Sequence, residues 1–383
     1  MLKTIQWFNR NLKSFTLLEC LVHLKTEFGI SSRAYDGGHH FILDYSQIDS
    51  PRSSEIVQEC RSLIIHYDES QVTLASSKFP RFFNYGEMLP FYEDFKINPQ
   101  MSLASKEDGS IIGLWFNRET QLWDISTRGM AKAEGPHPLG GTFRDSVLRA
   151  FGLTEEQFQE KALNLNKDNT YVFELVGPMN RCVRPYQKDE LALIGVFSTI
   201  HGCNTPNSWW TEFYAAQLTD DGLPCRAPNF YHVPETFEEI QAMADSLPGL
   251  EEGFVLYDPV TDKRMKFKSR KYIVAHDIRG QNTQPTPKHV YSLVLTGEQH
   301  EFLAYFPEYK HLFDAAEQRV AEFRDEMFDT YSKATHIEDQ KHFASVVAKS
   351  PAKQYMFLAR KNGVPLIFTF NAAKLEQKLK HFI

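Results

Sequence analysis

The pattern of hydrophobic and polar residues predicts mainly strands in the first two thirds of the chain. Residues 15–27, FTLLECLVHLKTE, carry apolar side chains at three- and four-residue steps and predict an amphipathic helix. From about residue 40 the pattern changes to short β runs separated by turns. These runs are HFILDY, CRSLIIHY, QVTLASS, SIIGLWF, LWDIST, YVFELVG, LALIGVF, GFVLYD and RMKFKS.

Helical periodicity appears in two other places. Between DISTRGM and YVFELV, the stretches FRDSVLRAFG and TEEQFQEKALN predict two helices. After Lys268 the polar, proline-bearing run RGQNTQPTPKH is typical of a linker. Beyond it, hydrophobic residues recur at three- and four-residue steps, which predicts a long helix. They are Leu312, Ala316, Val320, Phe323, Met327 and Tyr331.

These patterns predict an α+β fold built from antiparallel sheets, because many short strands are separated by only a few helices. We expect a domain boundary near residues 275–288, with residues 1–275 forming the sheet-rich domain and residues 276–383 an all-helical domain. No internal repeat is visible.

Composition is that of a globular protein, with 42% hydrophobic and 24% charged residues. The formal net charge is -7, so a polyanionic partner must be met by a local basic patch. The five cysteines are odd in number and form no CxxC pair, which favours reduced thiols over a disulfide framework or a structural zinc site. Without a cleavage signature or a membrane-spanning run, we expect a soluble cytoplasmic protein with no membrane partner.

The segment SKEDGSIIG, residues 105–113, is a candidate for chemistry. It places Lys106, two carboxylates and a glycine immediately before an apolar strand. A surface turn explains this pattern, since Asp-Gly is a common turn pair. A nucleophilic lysine at a strand end explains it as well. The segment alone does not decide between them.

Four further motifs follow that segment in order. STRGM contains Arg128 at a strand end, and FELVGPMNR places Glu174 inside an apolar strand. EEGFVLYD contains Glu252, and MKFKS alternates Lys266 and Lys268 with a phenylalanine, so that both ammonium groups lie on one face. Each motif by itself has an ordinary structural explanation. Glu174 would lie on the solvent-exposed face of an edge strand, and the two lysines would form the basic outer face of a half-exposed strand.

The order of these motifs resembles that of the covalent nucleotidyltransferases, the polynucleotide ligases and RNA capping enzymes. In that chemistry an amine attacks the α-phosphorus of a nucleoside triphosphate. We therefore expect neighbouring cations and partial desolvation to lower the pKa of Lys106. Lys266 and Lys268 would stabilise charge that develops on the α-phosphate.

Acidic and apolar residues complete the expected nucleotide site. Glu252 would orient Mg²⁺ (or Mn²⁺), and Glu174 would hold the ribose hydroxyls or assist with the metal. Ile194 and Val255 would close on the two faces of the base.

Two upstream runs, QECRSLII and KFPRFFNYGE, indicate which family of nucleotidyltransferases the chain resembles. Taken with KEDGS, FELVGPMNR, PYQ and KFKS, they resemble the T-even phage RNA ligase family over roughly residues 35–275. Its members are ATP-dependent single-strand RNA ligases of tRNA repair, which implies action in the host cytoplasm if the chain is phage-encoded. The resemblance implies that Lys106 is the adenylylated nucleophile and that Tyr272 contacts RNA. The implied ATP-binding residues are Arg61, Arg81, Lys106, Arg128, Glu174, Ile194, Glu252, Val255, Lys266 and Lys268, with Glu174 and Glu252 also binding metal.

The sequence departs from the family at three places. Arg81 and Arg128 stand where the family has lysine, which keeps the charge and changes the donor geometry. The run GEQHEF stands where the family has two aspartates implicated in metal binding, so Glu301 is a candidate metal ligand. A surface helix N-terminus is the alternative explanation of Glu301.

The helical region has a divided charge. Glu298 to Asp339 contains eleven acidic and four basic residues, whereas Gln340 to Ile383 contains one acidic and eight basic residues. Such a local basic surface suits contact with a phosphate backbone, and Lys374, Lys378 and Lys380 are the candidate RNA-binding residues. A solvated face that is merely basic is the alternative.

The function predicted is an ATP- and magnesium-dependent RNA ligase that joins 5′-phosphate to 3′-hydroxyl ends through lysyl-AMP. Its substrate would be single-stranded RNA or a nicked tRNA anticodon loop, with single-stranded DNA left open, and it would act after an end-healing kinase/phosphatase. A DNA ligase or capping-type enzyme is the first alternative. Against it, Ile111 occupies the position where those enzymes usually carry arginine. A catalytically inactive nucleic-acid-binding relative is the second.

Overall fold

The computed structural model describes residues 2–137, 140–204, 208–279 and 285–383, without the side chains of Ser208 and Glu301. The chain divides into two compact units, Met1–Val274 and Ala275–Ile383. Residues 280–284 of the predicted linker lie outside the described residues. None of the helices in the described ranges is long and apolar enough to cross a membrane.

The first unit contains three sheets. The first is antiparallel and has the order β1-β2-β3-β4. The second is antiparallel with the order β11-β10-β9-β7-β8. The third has the order β12-β6-β13-β14-β5, in which only the described pair β14 and β5 is parallel. The strands are β1 (Ile30–Tyr35), β2 (His40–Tyr45), β3 (Arg61–Tyr67), β4 (Val72–Ser76), β5 (Phe83–Asn84), β6 (Ser102–Ser105), β7 (Ser110–Asn117), β8 (Leu122–Ser126), β9 (Asn169–Val176), β10 (Glu190–Ser198), β11 (Cys203–Asn204), β12 (Phe230–Tyr231), β13 (Gly253–Asp258) and β14 (Lys263–Lys268).

Each sheet is covered by its own helices. Phe8 and Leu24 pack the first pair of helices on the first sheet, and Phe151 and Phe158 belong to the core of the second. Ile240 packs on the third sheet. The helices of this unit are α1 (Lys3–Asn11), α2 (Leu17–Phe28), α3 (Glu55–Glu59), α4 (Phe143–Phe151), α5 (Glu155–Ala162), α6 (Ser208–Asp220) and α7 (Phe237–Ser246), and α8 (Arg270–Arg279) crosses the division between units.

The described part of the second unit is helical. Phe323 and Met327 of its longest helix pack with Phe343, Tyr355 and Phe370 in one core. Its helices are α9 (Pro287–Thr296), α10 (Gln299–Tyr305), α11 (Lys310–Ser332), α12 (Gln340–Val347), α13 (Lys353–Asn362), α14 (Leu366–Ala372) and α15 (Leu375–Leu379).

The predicted α+β fold with antiparallel sheets and C-terminal helices is confirmed. The predicted amphipathic helix is α2, where Thr16 and Glu19 form a capping box, and the two insert helices are α4 and α5. In α11 the buried seam begins at Phe313, whereas the predicted Leu312 is only half-buried. The sequence patterns missed α1, α3, α6, α7 and α8, and also β1, β5, β6, β11 and β12, strands of two to six residues.

Candidate active site

The KEDG segment connects two sheets, because β6 ends at Ser105 and β7 begins at Ser110. The backbone N–H of Lys106 donates to the carbonyl of Gly253 over 2.8 Å, which fixes the segment beside β13. A Cβ at Gly109 would lie 2.1 Å from the carbonyl oxygen of Leu175, so only glycine fits where the segment meets β9. The strand-end position predicted for the lysine is therefore observed.

Glu252 joins two lysines. Lys106 Nζ donates to its Oε2 over 2.8 Å, and Lys268 Nζ lies 2.9 Å from Oε1. The carboxylate is buried, and Gly253 next to it pairs with Lys268 across β13 and β14. Burial acts to raise the pKa of Glu252, but the two ammonium groups outweigh it and hold that pKa below its usual value.

The expectation that the pKa of Lys106 is lowered is wrong for this ligand-free structure. Burial does act to lower it, but the carboxylates of Glu252 and Glu174 outweigh burial and raise the pKa above its usual value. The sequence showed the cations near the nucleophile and did not show that a carboxylate forms a direct ion pair with it. Lys106 is therefore an ammonium in this arrangement, with Glu252 as its counter-ion.

Glu107 is anchored by an arginine that the sequence motifs did not reveal. Arg226 contacts its two carboxylate oxygens at 3.1 and 2.8 Å, and the hydroxyls of Ser105 and Tyr186 donate to it at 2.9 and 3.0 Å. Arg226 also donates to Glu190 over 3.1 Å. These contacts hold the residue that follows Lys106 in place.

Asp108 is anchored as firmly. The backbone N–H groups of Val183 and Arg184 donate to its Oδ2 at 2.7 and 2.6 Å, and the hydroxyl of Tyr272 donates to Oδ1 at 2.7 Å. Asp108 and Tyr272 are both buried. In this conformation Tyr272 exposes little surface to RNA, so its placement favours a positioning role over the predicted RNA contact.

Lys266 lies on the same strand face as Lys268, as the alternation predicted, while Phe267 is fully buried behind them. Its ammonium lies 4.5 Å from the ring centroid of Phe82, and Arg61 approaches the same ring at 5.8 Å. Burial, with Arg61 and the two neighbouring lysines, lowers the pKa of Lys266 to about 7.

Two arginines lie over the ring of Tyr45. Arg81 and Arg128 lie 4.3 and 5.1 Å from its ring centroid, and Arg128 forms an ion pair with Asp44 at 3.4 Å. Within the described residues, one Nη1 each of Arg61 and Arg81 is buried without a hydrogen-bond partner. Buried donors are rarely left unpaired, so these two guanidinium groups mark the position of an absent acceptor.

A β-bulge presents Arg61. Asp44 pairs with Arg61 and Leu43 with Leu63, so Ser62 is the extra residue, with a φ of 63° in the left-handed region. Bulges re-aim neighbouring side chains and recur beside functional sites. A second buried cation nearby, Lys78, donates to the carbonyl of Thr127 over 3.1 Å. Burial, with Arg61, lowers the pKa of Lys78 to about 7, and the sequence carried no signal for this residue.

Glu174 does not lie on a wet edge strand, because β9 is paired on both sides by β10 and β7. Burial raises its pKa to about 7, although Lys106 acts in the opposite direction. Among the described residues, no side chain forms an ion pair or a hydrogen bond with its carboxylate. A half-buried carboxylate without an ion pair among the described residues is a candidate ligand for a divalent cation.

The two residues predicted to enclose the base are both half-buried. Ile194 is the extra residue of a bulge in β10, between Leu193 and Gly195. Val255 pairs with Lys266 and with Ala104 in the third sheet. The side chain of Glu301, predicted to bind metal, lies outside the described residues.

The lysines predicted to bind RNA in the second unit differ in exposure. Lys374 and Lys380 are exposed. Lys378 is buried, and its ammonium turns inward to the carbonyl of Asn371 at 3.4 Å and towards Phe370. Burial lowers the pKa of Lys378. Its inclusion in a surface patch is therefore wrong, because α15 directs this side chain into the helical core.

A family model and two related proteins that match this chain are all described as RNA ligases. A family model described as RNA ligase matches residues 59–272. A protein of Autographa californica nuclear polyhedrosis virus, provisionally named a bifunctional polynucleotide kinase/RNA ligase, is 29% identical over 350 residues, covering 88% of this chain and 48% of the viral protein. An RNA ligase of Rhodothermus phage RM378 is 27% identical over 297 residues, covering 64% of this chain and 65% of the phage protein. The chain thus spans less than two thirds of either relative.

Among solved structures, a variant of the RNA ligase of Naegleria gruberi with ATP and manganese aligns with a TM-score of 0.42. Its identity is 18%, and the alignment covers 53% of this chain and 58% of that chain.

Proposed function

Because the chain belongs to the RNA ligase family, as its resemblance to the T-even phage enzymes implied, we propose that it is an ATP-dependent RNA ligase working through lysyl-AMP. The observation that carries the proposal is a lysine beside two further lysines, together with two guanidinium groups whose buried Nη1 atoms have no hydrogen-bond partner among the described residues. Lys106 and Lys268 both contact Glu252, and Lys266 lies on the same strand face as Lys268. Arg61 and Arg81 each have one buried Nη1 without a hydrogen-bond partner among the described residues. A triphosphate supplies the missing oxygens.

The first step is attack of Lys106 Nζ on the α-phosphorus of ATP. A P–N bond forms, the bond from the α-phosphorus to the bridging oxygen breaks, pyrophosphate leaves, and the amine loses a proton. Lys266 and Lys268 stabilise the charge on the α-phosphate. Next, an RNA 5′-phosphate oxygen takes the adenylyl group and frees Lys106. The 3′-hydroxyl then attacks that phosphate, loses its proton, and expels AMP.

A divalent ion fits the site, and Glu174 and Glu252 are the residues that would hold it. The fit rests on the half-buried Glu174 carboxylate, which forms no ion pair or hydrogen bond with a side chain among the described residues. When bound, Mg²⁺ or Mn²⁺ neutralises phosphate charge and favours departure of pyrophosphate. A Glu252 carboxylate engaged in this way no longer stabilises the Lys106 ammonium. Burial and the neighbouring lysines then favour the neutral amine.

The substrate we propose is single-stranded RNA with a 5′-phosphate and a 3′-hydroxyl, such as a nicked tRNA anticodon loop. One relative is named as both a kinase and a ligase, which supports prior end-healing by a kinase/phosphatase. We assign adenylyl transfer to the sheet-rich unit and RNA selection to the helical unit, whose exposed Lys374 and Lys380 suit phosphate contact. The free cysteines suit a reducing cytoplasm.

The test is incubation with ATP labelled at the α-phosphate and Mg²⁺, followed by detection of labelled protein. Lys106→Arg keeps the charge but supplies no amine for attack, so we expect no adduct and no ligation from ATP. The same variant should still seal pre-adenylylated RNA, because that step needs no lysine nucleophile. Lys271→Arg, at an exposed position in α8, is the matched control and should form the adduct normally.

A normal adduct in Lys106→Arg would overturn the assignment of the nucleophile. An adduct formed from GTP in place of ATP would favour the capping-type alternative, and sealing of nicked duplex DNA in preference to RNA would favour a DNA ligase.

A further inference from the structure

A second cluster of potential ligands lies on the surface of the first unit and shares no residue with the site around Lys106. His39, His66 and Glu119 each offer one ligand atom, and these atoms all lie within 4.8 Å of one another. His66 Nε2 is 2.7 Å from Glu119 Oε1, and the rings of His39 and His66 are stacked with centroids 6.3 Å apart. We call these three residues the His66 cluster.

The three ligands come from separate turns and strands. His39 precedes β2, His66 lies in β3, and Glu119 belongs to the turn between β7 and β8. The cluster thus joins the first sheet to the second. His39 and Glu119 are exposed and His66 is half-buried, so an ion from solvent can reach them.

The backbone under the cluster is already ordered. The side-chain oxygen of Asn117 accepts hydrogen bonds from the backbone N–H groups of Glu119 and Thr120, at 3.0 and 3.3 Å. Asn117 also donates to Asp36 over 2.9 Å, which links the turn to the segment before His39. Preorganised ligands lose less conformational freedom when an ion binds.

We propose that the His66 cluster binds a divalent transition-metal ion of the zinc class. Two imidazoles and one carboxylate are the ligand types that Zn²⁺ accepts with bond lengths of about 2.0–2.2 Å, and water completes four-coordination. Mg²⁺ prefers oxygen ligands, so this site takes an ion different from the one expected beside Glu174. Tetrahedral binding needs ligand atoms roughly 3.4 Å apart, so the Glu119 carboxylate would have to move away from His66 Nε2, now 2.7 Å distant, and the His39 side chain would have to turn towards them.

The ion would act as a clamp between the two sheets. Because it binds the folded arrangement of three separate chain segments, it should stabilise the native state relative to the unfolded chain. The alternative is that His66 and Glu119 form a surface contact beside the ring of His39 and bind no metal.

The test uses the full chain, stripped of metal with a chelator and then titrated with Co²⁺ and Zn²⁺. We expect one equivalent of Co²⁺ to give a visible d–d absorption that Zn²⁺ abolishes and a large excess of Mg²⁺ does not. Zn²⁺ should raise the melting temperature by about 3 °C or more. His39→Gln, which changes an exposed side chain and should fold, is expected to weaken Co²⁺ affinity at least tenfold, and His66→Gln should abolish the absorption.

His336→Gln, another exposed histidine, is the matched control and should bind Co²⁺ as the parent does. Adduct formation with ATP should be the same in the parent, His39→Gln and His336→Gln, because the cluster lies outside the nucleotide site. Absence of the Co²⁺ absorption in the parent would overturn the proposal. So would its persistence in both cluster variants, or its displacement by Mg²⁺.

Discussion

Replacement of Arg226 by methionine should damage both stability and adenylyl transfer, although Arg226 does not belong to any recognised motif. Arg226 contacts both oxygens of Glu107, at 3.1 and 2.8 Å, and Glu107 is only 5% exposed. Arg226→Met leaves this carboxylate buried without its counter-ion. The cost of breaking a buried pair is about 3–5 kcal/mol. We expect about 3 kcal/mol of lost unfolding free energy, near the lower end, because a third of the Arg226 side chain is exposed to solvent.

The functional effect follows from the position of Glu107 next to Lys106. With its anchor lost, the KEDG segment can shift, and a displacement of about 1 Å lowers such a rate roughly a hundredfold. Urea unfolding measures the first effect, and single-turnover formation of labelled adduct measures the second. ATP affinity should change much less, because Arg226 does not touch the proposed phosphate contacts.

A double-mutant cycle separates this explanation from general damage. The double mutant Glu107→Gln/Arg226→Met contains no uncompensated charge. Its free energy of unfolding should therefore be higher, by about 1 kcal/mol or more, than the sum of the two single-mutant losses predicts. Arg270→Met is the control, since Arg270 is 84% exposed and its ion pair with Asp245 should contribute less than about 1 kcal/mol. If Arg226→Met unfolds at the same urea concentration and adenylylates at the parent rate, the anchoring role is refuted. Additivity in the cycle would show that the pair is not coupled.

Four other predictions concern charge. Lys266→Ala should lower the rate of adduct formation by roughly a hundredfold or more through loss of a charge on the α-phosphate, and a parental rate would make the strand an ordinary basic surface. The pKa of Lys266 is about 7 in the free protein, and a bound phosphate would raise it. ATP binding should therefore take up a proton, and ATP affinity should fall as pH rises from about 7 to 9. Calorimetry in buffers of different ionisation enthalpy will detect the proton uptake, and Lys266→Ala should abolish it. Glu174, with a pKa of about 7, must lose its proton to hold a cation, so the Mg²⁺ concentration needed for half-maximal adduct formation should rise below pH 7; a constant requirement would exclude Glu174 as a ligand. Replacing Lys374 and Lys380 by Gln should reduce the slope of log affinity for single-stranded RNA against log salt by about 1.4, at about 0.7 for each lost phosphate contact. Lys378→Gln should lower stability and leave that slope unchanged, and an equal effect of Lys378 on the slope would place its ammonium on the RNA.

Much of the local structure was determined by the sequence alone. Strands such as HFILDY and GFVLYD coincide with β2 and β13, and FRDSVLRAFG coincides with α4 apart from its final glycine. The alternation in MKFKS correctly placed Lys266 and Lys268 opposite Phe267. These predictions succeeded because side-chain direction repeats every two residues in a strand and about every 3.6 residues in a helix, so a short window contains the necessary information.

The chemical state of the site was decided by the tertiary structure. Lys106 meets Glu252 across 146 residues of sequence, Asp108 meets Tyr272 across 164, and Glu107 meets Arg226 across 119. The first of these contacts reverses the expected direction of the lysine pKa, and the other two anchor the segment that carries the nucleophile.

The dependence of burial on tertiary structure also explains why the basic patch of the helical unit was predicted incorrectly. A run of basic residues predicted one surface patch, yet Lys378 is buried while Lys374 and Lys380 are exposed. Charge and periodicity along the chain determine which residue types are available and which face they take within one element. Burial, ion pairing and the pKa values that follow from them depend on side chains brought together by folding, because solvation and Coulomb energies vary with distance in space and not with separation in sequence.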